Sequence, residues 1–193
     1  MATQEVTDNE NLHILHGETC PICLQKTLTL VEEEREIPYF GNVFLFSMTC
    51  QNPSCGFHKS DIEAAQERDP CIIQFEVSGD DDLSVRLVKS ANATVKIPRI
   101  VTIESDETAI GYISNIEGLF ERVKKILESI RDNSDSPDEV KKAKNHLKKI
   151  QRILWGKDKI TITIEDPSGN SAIISEKAVV KKLPKQKSAK KKK

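Results

Sequence analysis

Between positions 116 and 154 the apolar residues recur every three or four positions, which is the spacing of one face of an α-helix. They form two groups separated by a short polar loop. At the start of the second group Ser136 can act as N-cap, Pro137 occupies the first helical position and Glu139 can complete a capping box. We therefore predict a helical hairpin at about 115–155. The apolar positions are Ile116, Leu119, Phe120, Val123, Ile126, Leu127 and Ile130, then Val140, Ala143, Leu147, Ile150 and Leu154.

Outside this hairpin, short apolar runs alternate with turn residues, which is typical of β-strands. The run from Val43 to Phe46 is too short for a helix and rich in residues that favour strands. Two polar clusters, 78–82 and 165–170, are predicted turns. This pattern predicts a β-rich domain, barrel or jelly-roll-like, with the helical hairpin inserted between its strands. The predicted strands are 24–31, 42–49, 71–77, 83–89, 93–97, 100–104, 160–164 and 171–175.

Four of the five cysteines form two pairs. Cys20 and Cys23 are spaced C-x2-C, Cys50 and Cys55 are spaced C-x4-C, and 26 residues separate the pairs. Two such pairs can surround a tetrahedral ion, and Zn²⁺ suits thiolates because it is soft enough for sulfur and imposes no d-electron geometry. Four thiolates leave no coordination position for water, so the spacing predicts one structural zinc ion in an N-terminal zinc ribbon. Metal binding should then be coupled to folding of the ribbon.

Two weaker interpretations of the cysteine pairs are buried free thiols and an iron–sulfur cluster. His16 and His58 flank the pairs, and either can replace a thiolate, although a lone histidine more often lies at the surface. Cys71 lies in an apolar run and is interpreted as a small buried hydrophobic residue. An odd number of cysteines argues against a disulfide framework.

The formal net charge of −1 hides an asymmetry along the chain. Residues 181–193 hold eight lysines and no acidic residue, so residues 1–180 carry −9. We interpret this tail as a disordered, solubilising extension; the alternative is weak, salt-dependent contact with nucleic acid. No apolar run is long enough to span a membrane, and the polar start of the chain does not resemble a signal peptide. We therefore predict a cytoplasmic protein.

No catalytic arrangement is recognisable in the sequence, which lacks a phosphate-binding G-x4-G-K loop and a nucleophile elbow. We therefore predict no enzymatic activity. Two polar motifs, at 111–119 and 165–171, are candidate partner-binding surfaces. Helix-cap and turn chemistry explains most of their residue types equally well, because Asn115 can cap a helix and Asp166 can fix a turn. The candidate partner-binding residues are Asn115, Glu117, Gly118, Asp166, Gly169 and Asn170.

Taken in order, several motifs resemble the ZPR zinc-finger proteins in the single-module form found in archaea. The family usually has C-x2-C in the second cysteine pair, and here Asn52 and Pro53 look like an insertion. The resemblance covers nearly the whole chain. Its motifs are Cys-Pro-Ile-Cys at 20, Ile-Pro-Tyr-Phe at 37, Cys-Gly-Phe-His-Lys-Ser-Asp-Ile at 55, Val-Arg-Leu-Val-Lys-Ser at 85, Val-Lys-Ile-Pro at 95, Gly-Tyr-Ile-Ser-Asn-Ile-Glu-Gly-Leu at 111 and Glu-Asp-Pro-Ser-Gly-Asn-Ser at 165.

This resemblance implies a zinc ribbon followed by a β-rich domain with an inserted helical hairpin, and function by binding. Two-module relatives in eukaryotes associate with translation elongation factor one-alpha and assist its folding, and they are also described as binding receptor tyrosine kinase tails. We expect an adaptor or folding factor for the elongation factor; the alternative is a nucleic-acid-binding accessory protein of transcription or translation. The expected regions are a flexible N-terminus at 1–17, a zinc ribbon at 18–62, the β-rich domain at 63–180 and the tail at 181–193.

Overall fold

The structure is a computed structural model that describes residues 4–6 (backbone only), 11–38, 40–66, 68–106 and 108–184. Its first part is an antiparallel five-stranded sheet, the ribbon sheet, whose strands lie side by side in chain order. The strands are β1 (Gln4–Val6), β2 (Leu12–Glu18), β3 (Leu28–Ile37), β4 (Gly41–Cys50) and β5 (His58–Ala64).

The N-terminal segment corrects one expectation. Residues 12–17, predicted to be flexible, belong to β2, which pairs with β3 from Leu12 opposite Glu33 to Glu18 opposite Leu28. The short apolar run at Leu12 to Leu15 can pair there because the backbone groups on that side of β3 would otherwise have no partner in the sheet.

Two further sheets form the β-rich domain, in strand orders β13-β6-β11-β8-β9 and β10-β7-β12. A four-residue helix, α1 (Asp80–Leu83), lies where a turn was predicted. The strands are β6 (Cys71–Val77), β7 (Arg86–Lys89), β8 (Thr94–Ile97), β9 (Val101–Ile103), β10 (Tyr112–Asn115), β11 (Ile160–Asp166), β12 (Ala172–Ile173) and β13 (Val179–Lys182).

The disordered Lys-rich tail was predicted to begin at residue 181, but the last described strand extends to Lys182. Lys181 and Lys182 lie in β13, which pairs with β6, so the expectation of disorder is wrong for these two residues. Their side chains bind Gln74 at 2.9 Å and Asp69 at 2.8 Å, respectively. The prediction for residues 185–193 falls outside the described residues.

The helical hairpin is confirmed as α2 (Ile116–Asn133) and α3 (Pro137–Leu154). Ser136 is the N-cap of α3 as predicted, but the capping box is incomplete. The carboxylate of Glu139 accepts a hydrogen bond from Ser134 Oγ at 2.6 Å, and the backbone N–H of Ser136 also donates to Ser134 Oγ. The expected bond between the Ser136 N–H and the Glu139 carboxylate is therefore replaced by two bonds to the Ser134 hydroxyl.

The hairpin is part of the core of the β-rich domain. Leu119, Phe120 and Val123 are fully buried in one cluster with residues of both sheets. At the end of α3, Leu154 packs against this cluster, whereas the next residue, Trp155, is 60% exposed. Trp155 follows the last helical residue, so it has left the buried stripe.

The three-stranded sheet lies between the rest of the β-rich domain and the ribbon sheet. Leu87 of β7 belongs to the core of the β-rich domain, whereas its neighbour Val88 packs with ribbon residues. Successive residues of a strand point to opposite faces, so this short sheet serves both cores. The ribbon contributes buried Ile37, Phe40, Val43 and Ile62 to the shared cluster. This contact positions the zinc ribbon on the β-rich domain.

Candidate metal centre and the surfaces around it

The sulfur atoms of Cys20, Cys23, Cys50 and Cys55 lie within 4.8 Å of one another. Cys20 Sγ is 3.8 Å from Cys55 Sγ, and Cys23 Sγ is 3.7 Å from Cys50 Sγ. A tetrahedral zinc ion with bonds of about 2.3 Å requires sulfur atoms about 3.8 Å apart, so the four positions fit Zn²⁺. The donor set closes the coordination sphere. The prediction of one four-cysteine zinc site is confirmed.

The first cysteine pair sits on a tight turn. The N–H of Leu24 donates to the carbonyl of Cys20 at 3.0 Å, and the N–H of Cys20 donates to the carbonyl of Gln25 at 2.9 Å. This turn, which we call the first knuckle (Cys20–Leu24), projects the two thiols toward one point. Its backbone groups are largely satisfied locally, so the chain can reverse without help from other elements.

The second knuckle (Asn52–Gly56) repeats this turn with a different arrangement of ligands. The N–H groups of Cys55 and Gly56 both donate to the carbonyl of Asn52, at 3.0 and 3.4 Å. Asn52 thus occupies the place that Cys20 has in the first knuckle, and the second ligand, Cys50, comes from the last position of β4. The apparent insertion leaves the tetrahedral arrangement intact, because Cys50 reaches the ion from the strand.

Backbone amides, desolvation and neighbouring thiols shift the pKa values of Cys23 and Cys55 in opposite directions. A hydrogen bond from the N–H of Gln25 lowers the pKa of Cys23 to about 6. The N–H of Phe57 lowers the pKa of Cys55 in the same way, but desolvation and the three neighbouring thiols outweigh it and raise that pKa to about 11. Without a cation the cluster therefore retains protons, and zinc binding must release them.

The remaining candidates for the metal site lie apart from it. His16 Nδ1 is 3.1 Å from Thr29 Oγ1, and His58 Nδ1 is 3.1 Å from Thr49 Oγ1. Neither histidine belongs to the group of possible metal ligands. Cys71 is buried in β6, where burial and then the charge of Asp166 raise the pKa of its thiol to about 11. Its assignment as a buried, structural cysteine is confirmed.

The first polar motif builds the start of α2. Asn115 Oδ1 accepts from the N–H of Gly118 at 2.8 Å, which is the predicted N-cap. A Cβ at Gly118 would lie 2.2 Å from Ser114 Oγ, so a side chain at this position requires the Ser114 hydroxyl to move. Glu117 is exposed in the first turn. The proposed contact of Asn115, Glu117 and Gly118 with a partner stays a prediction.

The second polar motif builds a buried turn. Asp166 is fully buried and accepts hydrogen bonds from the N–H of Ser168 at 2.8 Å and from Ser90 Oγ at 2.9 Å. Gly169 has φ +73°, and a Cβ there would lie 2.6 Å from the carbonyl oxygen of Asp69. In this conformation the side chain of Asp166 is directed into the protein, so any partner contact at this motif must come from its neighbours.

Both motifs also join the ribbon to the β-rich domain, a role that sequence reasoning missed. Asn170 Oδ1 accepts from the N–H of Ala64 in β5 at 3.1 Å. The N–H of Gly111 donates to the carbonyl of Ser60 at 2.8 Å, and a Cβ at Gly111 would lie 2.6 Å from Asp61 Oδ1. Residues this far apart in sequence carry no local signal of their pairing.

The fold and the metal centre define a zinc-ribbon protein with a β-rich domain and a helical hairpin. The ZPR1 zinc-finger domain matches residues 14–70, and the ZPR1 jelly-roll domain matches residues 81–192. The chain belongs to the ZPR1 family. The predicted fold, a zinc ribbon followed by a jelly-roll-like domain containing a helical hairpin, is confirmed.

Proteins with a similar sequence occur in archaea and in eukaryotes. A ZPR1-like protein of Pyrococcus horikoshii is 37% identical over 86% of this chain and 76% of its own. A ZPR1-like protein of Methanocaldococcus jannaschii is 34% identical, and the match covers 81% of this chain and 79% of that protein. The zinc finger chaperone zpr1 of Schizosaccharomyces pombe is 31% identical, and the match covers 71% of this chain but 30% of that protein. Among the described residues no helix is long and apolar enough to cross a membrane.

Proposed function

We propose that this protein is a cytoplasmic zinc-binding protein-interaction module that acts as an adaptor or folding factor for translation elongation factor one-alpha. The observation that carries the proposal is the closed metal centre: four sulfurs fill a tetrahedron, so the ion holds a surface in shape. The name of the fission yeast relative, a zinc finger chaperone, supports a role in folding. The resemblance to the ZPR proteins supplies the partner.

A non-enzymatic role agrees with the placement of the polar motifs. Both Asn115 and Asp166 accept hydrogen bonds within the fold: Asn115 caps α2 and Asp166 fixes a turn. Both are therefore accounted for by structure alone. We propose that the function is binding rather than turnover, with the ribbon and the helical hairpin as the contact surfaces.

A pull-down with purified archaeal elongation factor one-alpha, nucleotide-free and with GDP, tests this proposal. We expect the full chain to retain the elongation factor at low and moderate salt. We expect the Cys23→Ser, Cys50→Ser variant to lose it, because the ribbon no longer holds zinc. Cys71→Ala is the matched control, since it removes a thiol outside the metal centre. Failure of the unaltered chain to retain the factor under any of these conditions would refute the partner.

The second candidate function, nucleic-acid binding, is favoured by the eight lysines at 181–193. Its test is deletion of residues 185–193, which leaves β13 complete. If the tail carries the function, RNA or DNA affinity falls sharply, whereas retention of the elongation factor depends on the ribbon and is unchanged. An unchanged affinity for RNA and DNA after this deletion would refute the second candidate.

A further inference from the structure

The two knuckles share a backbone turn but have different residues at its left-handed position. In each, the residue after the second cysteine has a left-handed conformation: φ is +58° at Leu24 and +63° at Gly56. Glycine adopts this conformation readily, whereas a residue with a Cβ does so only at an energetic cost. Leucine at position 24 is therefore energetically less favourable than glycine would be in the same backbone conformation.

No packing explains the leucine. Leu24 is 75% exposed and Ile22, two residues earlier, is 65% exposed. Neither residue belongs to a buried cluster or packs against one. We call these two side chains the knuckle tip. Burial against a binding partner would explain a strained apolar residue that is not buried in the folded chain.

The zinc end of the ribbon also lacks charged side chains outside the metal centre. Residues 19–25 and 50–57 contain no Asp, Glu, Lys or Arg, although such residues make up 31% of the chain. A zinc ion with four thiolates adds a formal charge of −2, which repels phosphate. Depletion of charge around exposed apolar side chains is characteristic of the centre of protein–protein interfaces. This surface suits a protein rather than a nucleic acid.

We infer that the knuckle tip inserts Leu24 and Ile22 into an apolar pocket of the protein partner, and that the zinc ion keeps the tip rigid for this purpose. The inference rests on the proposed function, so the partner is elongation factor one-alpha. A convex tip of two aliphatic side chains requires a concave, uncharged pocket on that partner. Rigidity favours binding because little conformational freedom is lost on contact.

Leu24→Gly and Ile22→Ser test this inference in the full chain loaded with zinc. Leu24→Gly copies the residue that the second knuckle already uses, so the turn and its metal should persist. We expect one equivalent of zinc, an unchanged or higher melting temperature, and at least tenfold weaker binding of purified elongation factor one-alpha by titration calorimetry. Ile22→Ser should weaken binding to a similar extent.

Two control variants match these changes. Arg99→Gly replaces the other described non-glycine residue with positive φ, +60°, in the β8–β9 turn. Val180→Ser removes an apolar side chain that is 65% exposed in β13. Both should bind the elongation factor within twofold of the unaltered chain. A tenfold loss in either control would show that the effect is not specific to the knuckle tip.

The possible failures are distinct. If the unaltered chain does not bind the elongation factor, the proposed function fails, and the partner assigned to the tip fails with it. If the unaltered chain, Leu24→Gly and Ile22→Ser all bind alike, the function stands and the knuckle tip is refuted. If Leu24→Gly loses zinc or melts at a lower temperature, the leucine stabilises the turn, and the strain argument is wrong.

Discussion

The zinc end of the ribbon and the β-rich domain hold their shapes by different means. Beside the metal centre the buried cluster consists of Cys20, Leu28 and Cys50, two of which are zinc ligands. Among the described residues, the β-rich domain buries twenty in one cluster, including Phe75 and Phe120. Apolar burial can therefore stabilise the second region alone, whereas the first depends on its ion. The protein combines a metal-dependent surface with a metal-independent scaffold.

The largest expected effect comes from removing the metal. With Cys23→Ser and Cys50→Ser, we expect zinc content to fall to zero and the knuckles to unfold, because structural zinc supplies on the order of 10 kcal/mol of apparent binding energy. Amide resonances of the β-rich domain should stay dispersed in a heteronuclear NMR spectrum while those of residues 19–28 and 49–58 collapse. Collapse of both sets would show that the two regions fold as one unit.

A core substitution should give the opposite pattern. Phe120→Ala removes a fully buried ring from the β-rich domain and should lower the free energy of unfolding in urea by about 3–5 kcal/mol. Zinc content should stay at one equivalent under conditions where the variant is folded. Trp155→Ala, at a 60% exposed position, is the control and should change stability by less than about 0.5 kcal/mol.

The junction of the two regions can be loosened at Gly111. An alanine there places a Cβ 2.6 Å from Asp61 Oδ1 and 2.9 Å from the backbone nitrogen of Ile62 in β5. We expect Gly111→Ala to cost about 1–3 kcal/mol and to increase hydrogen exchange in β5, since the strand must move away. Gly79→Ala meets no atom within 4 Å and should leave exchange unchanged. Equal exchange in both variants would contradict a close-packed junction.

The smallest predicted effect is a dependence on pH in the β-rich domain. Burial raises the pKa of Asp82, but hydrogen bonds from Lys177 and Ser78 outweigh it and hold that pKa below its ordinary value. The carboxylate therefore contributes stability that is present above the unfolded pKa of about 3.9 and is lost as the pH falls through the lower, folded pKa. Lys177 is 62% exposed, so solvent screens the pair.

Unfolding in urea at several pH values measures this contribution. At pH 7, Asp82→Asn should lower stability by about 1 kcal/mol, and the difference from the unaltered chain should shrink as the pH falls below about 3.9. A difference that is constant from pH 7 to pH 2 would show that the charge of Asp82 has no part in it.

Local patterns predicted the parts of the molecule that depend on local physics. The hairpin followed from apolar spacing, and the cap of α3 from Ser136 and Pro137. The metal centre followed from cysteine spacing, because a tetrahedral ion demands two close pairs of sulfur atoms. Each of these signals lies within a short stretch of chain or in a few residue types.

The parts that were missed depend on pairing between distant residues. β5 and β10 were not predicted, and the bond between Asn170 and Ala64 spans 106 residues. From its sequence neighbours, Lys181 was predicted to start a charged tail. It lies instead in β13, which forms because the edge of β6 has backbone groups available for pairing. The left-handed backbone of Leu24 likewise has no signal in its residue type, since leucine is rare in that conformation.

The coordination of the metal determines whether the ribbon is a closed structural site, and X-ray absorption spectroscopy of the zinc-loaded protein measures it directly. We predict four sulfur neighbours at about 2.3 Å and no oxygen or nitrogen in the inner sphere. A bound water would contradict the closed site, and with it the view that this ion only shapes a binding surface. A histidine nitrogen beside three sulfurs would contradict the assignment of all four cysteines as ligands.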